Sequence, residues 1–180
     1  MRADAARNRE KIVETARVLF RERGYDVPLD DVAKAAGVGA GTLYRHFPNR
    51  ASLADAVMQA WAERVQERVD VVLAEGGTPR VLLLRWFEEY VALISVHRGG
   101  AAKITGAMED DSSPIATKCR VLRGANDQVI EQLGGDLRPG VDSLQFARLV
   151  GGVAGVADQG GLPREAVTPM LEVLADGLLV

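Results

Sequence analysis

A chain of 180 residues with 47% apolar content can bury a sizeable core in one large domain or two small ones, and with aromatics at only 5% that core must be mostly Leu, Val and Ala. Its single cysteine, Cys119, excludes a disulfide framework and a cysteine zinc cluster and fits a reducing cytoplasm, and no run of about 18 apolar residues exists to span a membrane. The net charge of −3 is uneven, +3 over residues 1–50 and −6 over 51–180, a faint pointer to a polyanion partner at one end.

Residues 1–10 are polar and lack the apolar core of a signal peptide, and residues 1–7 read as disordered, with Arg2 and Arg7 available to an anion. Asn8 is placed to cap a first helix over about 8–23, whose apolar stripe is Ile12, Ala16, Leu19 and Phe20. Gly24 ends it, with Arg21 and Arg23 in the last turn as the helix dipole prefers. Pro28 then stands at or near the first position of a second helix, with Asp30 and Asp31 in its first turn and Val32, Ala33 and Ala36 on its apolar face. Gly37 breaks that helix where a left-handed or crowded backbone is needed, and Val38 plugs the corner. A third helix follows with Leu43 and Phe47 four apart on its buried side and Thr42, Tyr44, Arg45 and His46 on its other faces. The small residues Ala33 and Gly37 are expected to let the two helices cross closely. Two short helices around a tight turn, over residues 29–47, make the helix-turn-helix plan, in which the second helix enters the DNA major groove. Pro48 stops that helix and Asn49 is the expected N-cap of the next.

The fourth helix is predicted over about 50–74, with Leu53, Val57, Trp61 or Met58, Val65 and Val69 in its stripe. At ~1.5 Å per residue it spans roughly 40 Å, long enough to carry motion from a C-terminal core to an N-terminal head. Thr78-Pro79 starts a fifth, to about 96, with Leu82, Leu83, Trp86, Phe87, Tyr90, Leu93 and Ile94 on one face. A short sixth runs over about 101–108, and a seventh from Ser112 or Ser113 with Pro114 through Ile115, Cys119, Leu122, Val129 and Leu133 to Gly134. Arg138-Pro139-Gly140 is a turn. The eighth, about 142–158, is rich in small residues (Ala147, Gly151, Gly152, Ala154, Gly155, Ala157) and invites close helix packing, either within the chain or with a second copy. A last helix opens at Pro163 or Arg164 with the stripe Val167, Met170, Leu171, Val173, Leu174 and Leu178. No segment alternates with period two, so the expectation is an all-α protein of about nine helices.

The string GVGAGTLYRHFPNRASL, residues 37–53, closely resembles the DNA-binding domain of the TetR family of bacterial regulators, where the pattern is G-V-[ST]-x-x-T-[LI]-Y-x-[HY]-F-x-[ST]-[KR]-x-x-L. The likeness covers roughly residues 8–58; the remainder resembles the family only in being helical and of suitable length. It implies a three-helix DNA-binding domain over 1–48 and a helical ligand-binding and dimerisation domain over 49–180. It also implies an operator contact through Ala40, Gly41 and Arg45, with Arg45 the one long donor for a guanine. Thr42, Tyr44, His46 and Arg50 match positions that hold phosphates in the family. Two local departures stand out: the family often has Lys where this chain has Ala40, and Thr or Ser near Pro28.

An inducer in this family sits among the fourth to eighth helices, which makes Met58, Trp61, Trp86, Phe87, Tyr90, Met108 and Cys119 the candidate pocket, although each taken singly also suits plain core packing. Glu88 and Glu89 are either pocket acceptors for a cation or solvated helix surface. The last two helices are the expected half of an intermolecular four-helix bundle. No paired acid, metal set, nucleophile triad or nucleotide loop is legible, so no catalysis, metal or cofactor is expected. The reading is a homodimeric, ligand-responsive repressor on a near-palindromic operator. A helical carrier or enzyme with a vestigial helix-turn-helix, and a non-specific DNA-binding dimer, stand as alternatives.

Overall fold

The computed structural model describes residues 2–95, 100–107 and 115–180. Among these, the chain forms α1 (Arg2–Arg23), α2 (Leu29–Ala35), α3 (Ala40–His46), α4 (Arg50–Glu75), α5 (Pro79–Ile94), α6 (Gly100–Gly106), α7 (Ala116–Leu133), a 3-10 turn at Gly134–Asp136, α8 (Ser143–Gly160) and α9 (Arg164–Leu178). The one β-type pairing among the described residues is a single antiparallel bridge, Leu137 with Leu179, so the all-α expectation stands. The chain divides into two compact units, residues 1–63 and 64–180, and α4 runs from the first into the second.

In the first unit, α1, α2 and α3 pack on one another and on the start of α4. Ile12, Ala16, Val32, Ala33, Leu43, Phe47 and Leu53 close its core, with Leu19, Phe20, Ala36, Val38 and Val57 half-buried around it. The expected stripes are therefore the ones that bury. The start of α1 is a correction: residues 2–7 are helical, not disordered, and Asn8 lies inside α1 and caps nothing. Ala5 and Ala6 have the highest helix propensity, and Asp4 in the first turn both favours the dipole and accepts from Arg7 one turn on.

The second unit is built around α5, which touches α6, α7, α8 and α9. Thr78 caps α5 by accepting from the Val81 amide, and Pro79 occupies the first helical position. All seven residues of the expected stripe, Leu82 to Ile94, are buried. Trp86 and Tyr90 meet edge to face at 6.0 Å, and Phe87 packs on Phe146 of α8 at 5.0 Å. Arg80 pairs with Asp176 at 2.6 Å and Arg164 with Glu88 at 2.7 Å, pinning the two ends of α5 and α9 together. These pairs are exposed and add little each, so burial and not charge holds the helices. The α9 stripe needs one correction. Val167, Leu171, Ala175 and Leu178 are buried, whereas Val173 is 73% exposed. Val173 is two residues from Leu171, and that spacing turns a side chain to the far side of a helix.

Helix α8 uses its small residues on two faces. A Cβ built on Gly151 would lie 2.0 Å from Thr105 Oγ1 of α6 and 3.1 Å from Thr105 Cβ, so glycine is what lets α8 and α6 touch. Ala147, Ala154 and Ala157 bury on the same side. Gly152 and Gly155 instead face open space. Gly151→Ala is expected to destabilise the fold by about 1–2 kcal/mol, because overpacking against a β-branched neighbour outweighs the ~1 kcal/mol gain in helix propensity. Gly124→Ala, at an open position on α7, should stabilise by roughly 0.5–1 kcal/mol; urea melts of the two variants test the contrast.

Candidate functional site

The helix-turn-helix begins without a side-chain cap. Pro28 is the N-cap of α2, and its carbonyl accepts from Asp31 and Val32 at 3.1 and 3.2 Å. Asp30 and Asp31 then compensate the free amides of the first turn. The corner is a closed helix stop: the Val38 amide reaches back to the Ala33 carbonyl at 3.0 Å and the Gly37 amide to Lys34 at 3.2 Å. Gly37 has φ +67°, and a Cβ there would meet nothing. Its glycine is therefore a requirement of backbone conformation, and close crossing is not its reason.

Helix α3 is seven residues long and has Gly39 as N-cap, again with no side-chain bond. Leu43 is buried and the Phe47 amide closes the last turn on the Leu43 carbonyl at 2.8 Å, with Phe47 itself in the core. This anchoring sorts the remaining positions. Ala40, Gly41, Tyr44 and Arg45 face outward, Tyr44 at 44% exposure, while Thr42 and His46 lie half-buried on one flank, four residues apart. The Arg45 side chain lies back along its own helix, donating to the Gly41 carbonyl and to Thr42 Oγ1, each at 3.3 Å. Behind the helix the Arg9 guanidinium sits 5.5 Å over the Phe47 ring. Sequence reasoning missed Arg9, and no local signal joins positions so far apart.

Asn49 caps α4 as expected, and reciprocally. Its Oδ1 accepts from the Ser52 amide at 2.9 Å, and Ser52 Oγ accepts from the Asn49 amide at 3.4 Å. Arg50, the first residue of α4, is half-buried. Its Nη1 donates to two backbone carbonyls between α1 and α2, those of Tyr25 and Val27, the latter at 2.7 Å. Tyr25 stacks on Phe20 at 4.9 Å.

Of the residues expected around a pocket, Trp86, Phe87, Tyr90 and Cys119 are buried in the second unit. Trp86 Nε1 donates to Asn126 Oδ1 at 2.9 Å, and Asn126 Nδ2 donates to the Ser143 carbonyl at 3.4 Å. Cys119 donates to the Ile104 carbonyl at 3.6 Å. Among the described residues the buried Tyr90 hydroxyl makes no hydrogen bond of normal geometry, and burial pushes its pKa well above the ordinary phenol value, opposed by the nearby Asn126 side chain. Burial likewise raises the Cys119 thiol, so it stays protonated and is a poor nucleophile. Asn126 is the residue sequence reading passed over. It is wholly buried on the α7 stripe, between Leu122 and Val129, and a polar residue in line with an apolar stripe was the available signal.

Met58, half-buried, and Trp61, buried, belong to the first unit. Met108 lies outside the described residues, as does His97. Glu88 and Glu89, both half-buried, pair with Arg164 and Arg68. A separate cleft of about 480 Å³ opens between α6 and α8, walled by Ala102, Thr105, Gly106, Arg148, Gly151 and their neighbours and by none of the expected aromatics. Among the described residues no cluster of His, Cys, Asp and Glu is suited to a metal, and no helix is long and apolar enough to cross a membrane.

Residues 12–57 match the family described as bacterial regulatory proteins, tetR family, and residues 78–180 match the SbtR-like transcriptional regulator C-terminal domain. An HTH-type transcriptional regulator of Staphylococcus aureus (strain USA300) is 45% identical over 60 residues, 33% of this chain and 32% of the relative. The chain thus spans about a third of the length of the curated relatives it matches. Among solved structures, the TetR transcription regulatory protein from Mycobacterium vanbaalenii is 30% identical with a TM-score of 0.66, covering 99% of each chain. The TetR transcriptional regulator SCO0520 from Streptomyces coelicolor is 26% identical with a TM-score of 0.69, over 95% of this chain and 98% of its own. A recognition helix held outward on a three-helix head, carried by an all-α chain, defines a helix-turn-helix transcriptional regulator, a DNA-binding protein and not an enzyme. The chain belongs to the TetR family of bacterial transcriptional regulators.

The buried Trp86–Asn126 bond yields a stability test. Asn126→Leu alone strands the indole N–H and should cost about 1–3 kcal/mol. Trp86→Phe combined with Asn126→Leu should cost less than the sum of the two singles, read as a double-mutant cycle in urea; strict additivity would show that the bond carries no coupling.

Proposed function

We propose that the protein is a homodimeric repressor whose α3 enters the major groove of a near-palindromic operator. The observation that carries this reading is the outward set Ala40, Gly41, Tyr44 and Arg45, presented by a helix whose Leu43 is locked in the core. Arg45 is the guanine-reading donor, freed from two long contacts to its own helix at little cost. Ala40 and Gly41 permit close approach to base edges. Thr42, Tyr44 and His46 are the phosphate contacts, Thr42 and His46 on one flank of α3 and Tyr44 on its exposed face. DNA reading belongs to residues 1–48 and effector binding with dimerisation to 49–180. The compact first unit runs on to Glu63 because Leu53 and Ala56 of α4 complete the core of the head.

The effector site is assigned to the second unit around Trp86, Phe87, Tyr90 and Cys119. What supports it is an apolar interior that holds a polar network and, among the described residues, the Tyr90 hydroxyl, one of three buried hydroxyls with hydrogen-bonding capacity unused. An effector bound there favours a head spacing that misfits the operator, so effector and DNA oppose each other reciprocally. Dimerisation is assigned to α8 and α9. Leu149 and Val156 of α8 and Val173 of α9 are exposed apolar side chains, and Gly152 and Gly155 offer space beside them. The site of action is the cytoplasm.

Selection of bound duplexes from a random pool tests the DNA reading. A recovered palindrome with half-sites about 34 Å or somewhat more apart establishes specific regulation. Unenriched, salt-sensitive binding would leave only non-specific association. On the recovered site, Arg45→Ala should weaken binding by about 1–3 kcal/mol and blur one base position; unchanged affinity and preference would remove Arg45 from the readout. For the dimer, Val156→Asp with Val173→Asp should shift the protein to monomer in analytical ultracentrifugation while melting remains cooperative. A persistent dimer would place the interface elsewhere.

A further inference from the structure

The geometry points to Arg50 as a positioning residue: we propose that its guanidinium clasps the chain that enters the helix-turn-helix to the chain that leaves it, and so sets the angle at which α3 meets DNA. The inference rests on the reading that α3 enters the major groove. Nη1 donates to the carbonyls of Tyr25 and Val27, in the segment just before α2, while Arg50 itself opens α4 just after α3. Everything between them, α2, the Gly37 corner and α3, is the loop that these two bonds close. Guanidinium-to-carbonyl bonds are charge-assisted and among the stronger kind, and one of these is part-buried.

Both ends of the clasp are themselves fixed. Val27 is buried in the head's core and the Tyr25 ring lies stacked on Phe20, so the two acceptors cannot drift. At the other end the Asn49–Ser52 box fixes the first turn of α4. Helices α2 and α3 have seven residues each, too short to persist alone, so their orientation is decided by what holds their ends. Nη1 is spent on the two carbonyls, so a phosphate contact would fall to the remaining donors, Nε and Nη2. Lysine keeps the charge at this position but offers a single ammonium in place of a planar fork.

The test compares full-length wild type, Arg50→Lys and Arg50→Met on a duplex recovered by selection, titrated from low to high salt. Amide exchange over residues 25–32 is followed in parallel on the DNA-free protein. Both variants are expected to melt cooperatively, exchange faster over 25–32 and bind roughly ten- to a hundredfold more weakly, the equivalent of one charge-assisted hydrogen bond. The slope of log K against log salt should stay that of wild type. If Arg50→Lys kept wild-type affinity, with Arg50→Met lowering the slope by about 0.9 and exchange unmoved, Arg50 would be a phosphate contact and the proposal wrong. Faster exchange with unchanged affinity would reduce Arg50 to a purely structural role and equally overturn it. A wild-type protein that binds no duplex sinks the DNA reading itself, and the exchange data would then assign Arg50 to stability alone.

Discussion

Two seven-residue helices cannot fold by themselves, because nucleating a helical turn costs more than so few residues return. The head exists because α2 and α3 give up their apolar sides to a shared core. Val32 and Ala33 on α2, with Leu43 and Phe47 on α3, meet Ile12 and Ala16 of α1 and Leu53 of α4. That burial dictates which way every other side chain of α3 points. With Leu43 fixed inward, helical geometry leaves Ala40, Gly41, Tyr44 and Arg45 no place but the outside. The outward face of α3 depends on this packing.

The corner, the cap and the Arg50 bonds are secondary to the core and refine it. Gly37 lets the backbone turn left-handed so that two amides of the corner find carbonyls. The Asn49–Ser52 box does the same for the free amides that open α4. Helices α2 and α3 themselves open without side-chain caps, with Pro28 and Gly39 at their N-cap positions. The second unit follows a different rule. Its interior polar side chains Trp86, Tyr90, Cys119 and Asn126 are uncharged, which avoids the desolvation cost of a buried ion but obliges each to find a neutral partner. Among the described residues three of them do, and the Tyr90 hydroxyl makes no bond of normal geometry.

Much of this was readable from residue spacing. The buried faces of α1 and α5, the corner at Gly37, the Asn49 cap and the Thr78-Pro79 start all follow from local periodicity and local backbone chemistry. The misses have physical causes as well. At the α1 start polarity suggests disorder, whereas Ala5, Ala6 and the Asp4–Arg7 pair favour helix. Val173 is apolar like its neighbours on α9, but its spacing from Leu171 turns it out of the buried stripe. Arg9 against Phe47, Arg50 against Val27, and Trp86 against Asn126 join residues far apart in sequence, and no window on the chain contains both partners.

The order of helices, their buried faces and the family were thus set by the sequence alone, because amphipathic period, caps and a dense local motif act within a few residues. What each small or polar residue is for was decided only in three dimensions. Gly151 makes room for Thr105 while Gly152, next to it, faces open space, and only the packing of α6 on α8 tells them apart. Arg45 and Arg50, five residues apart, look alike as cations. One lies exposed along α3 and the other turns in to two carbonyls, because a long flexible side chain takes its role from whichever acceptors the fold brings within reach.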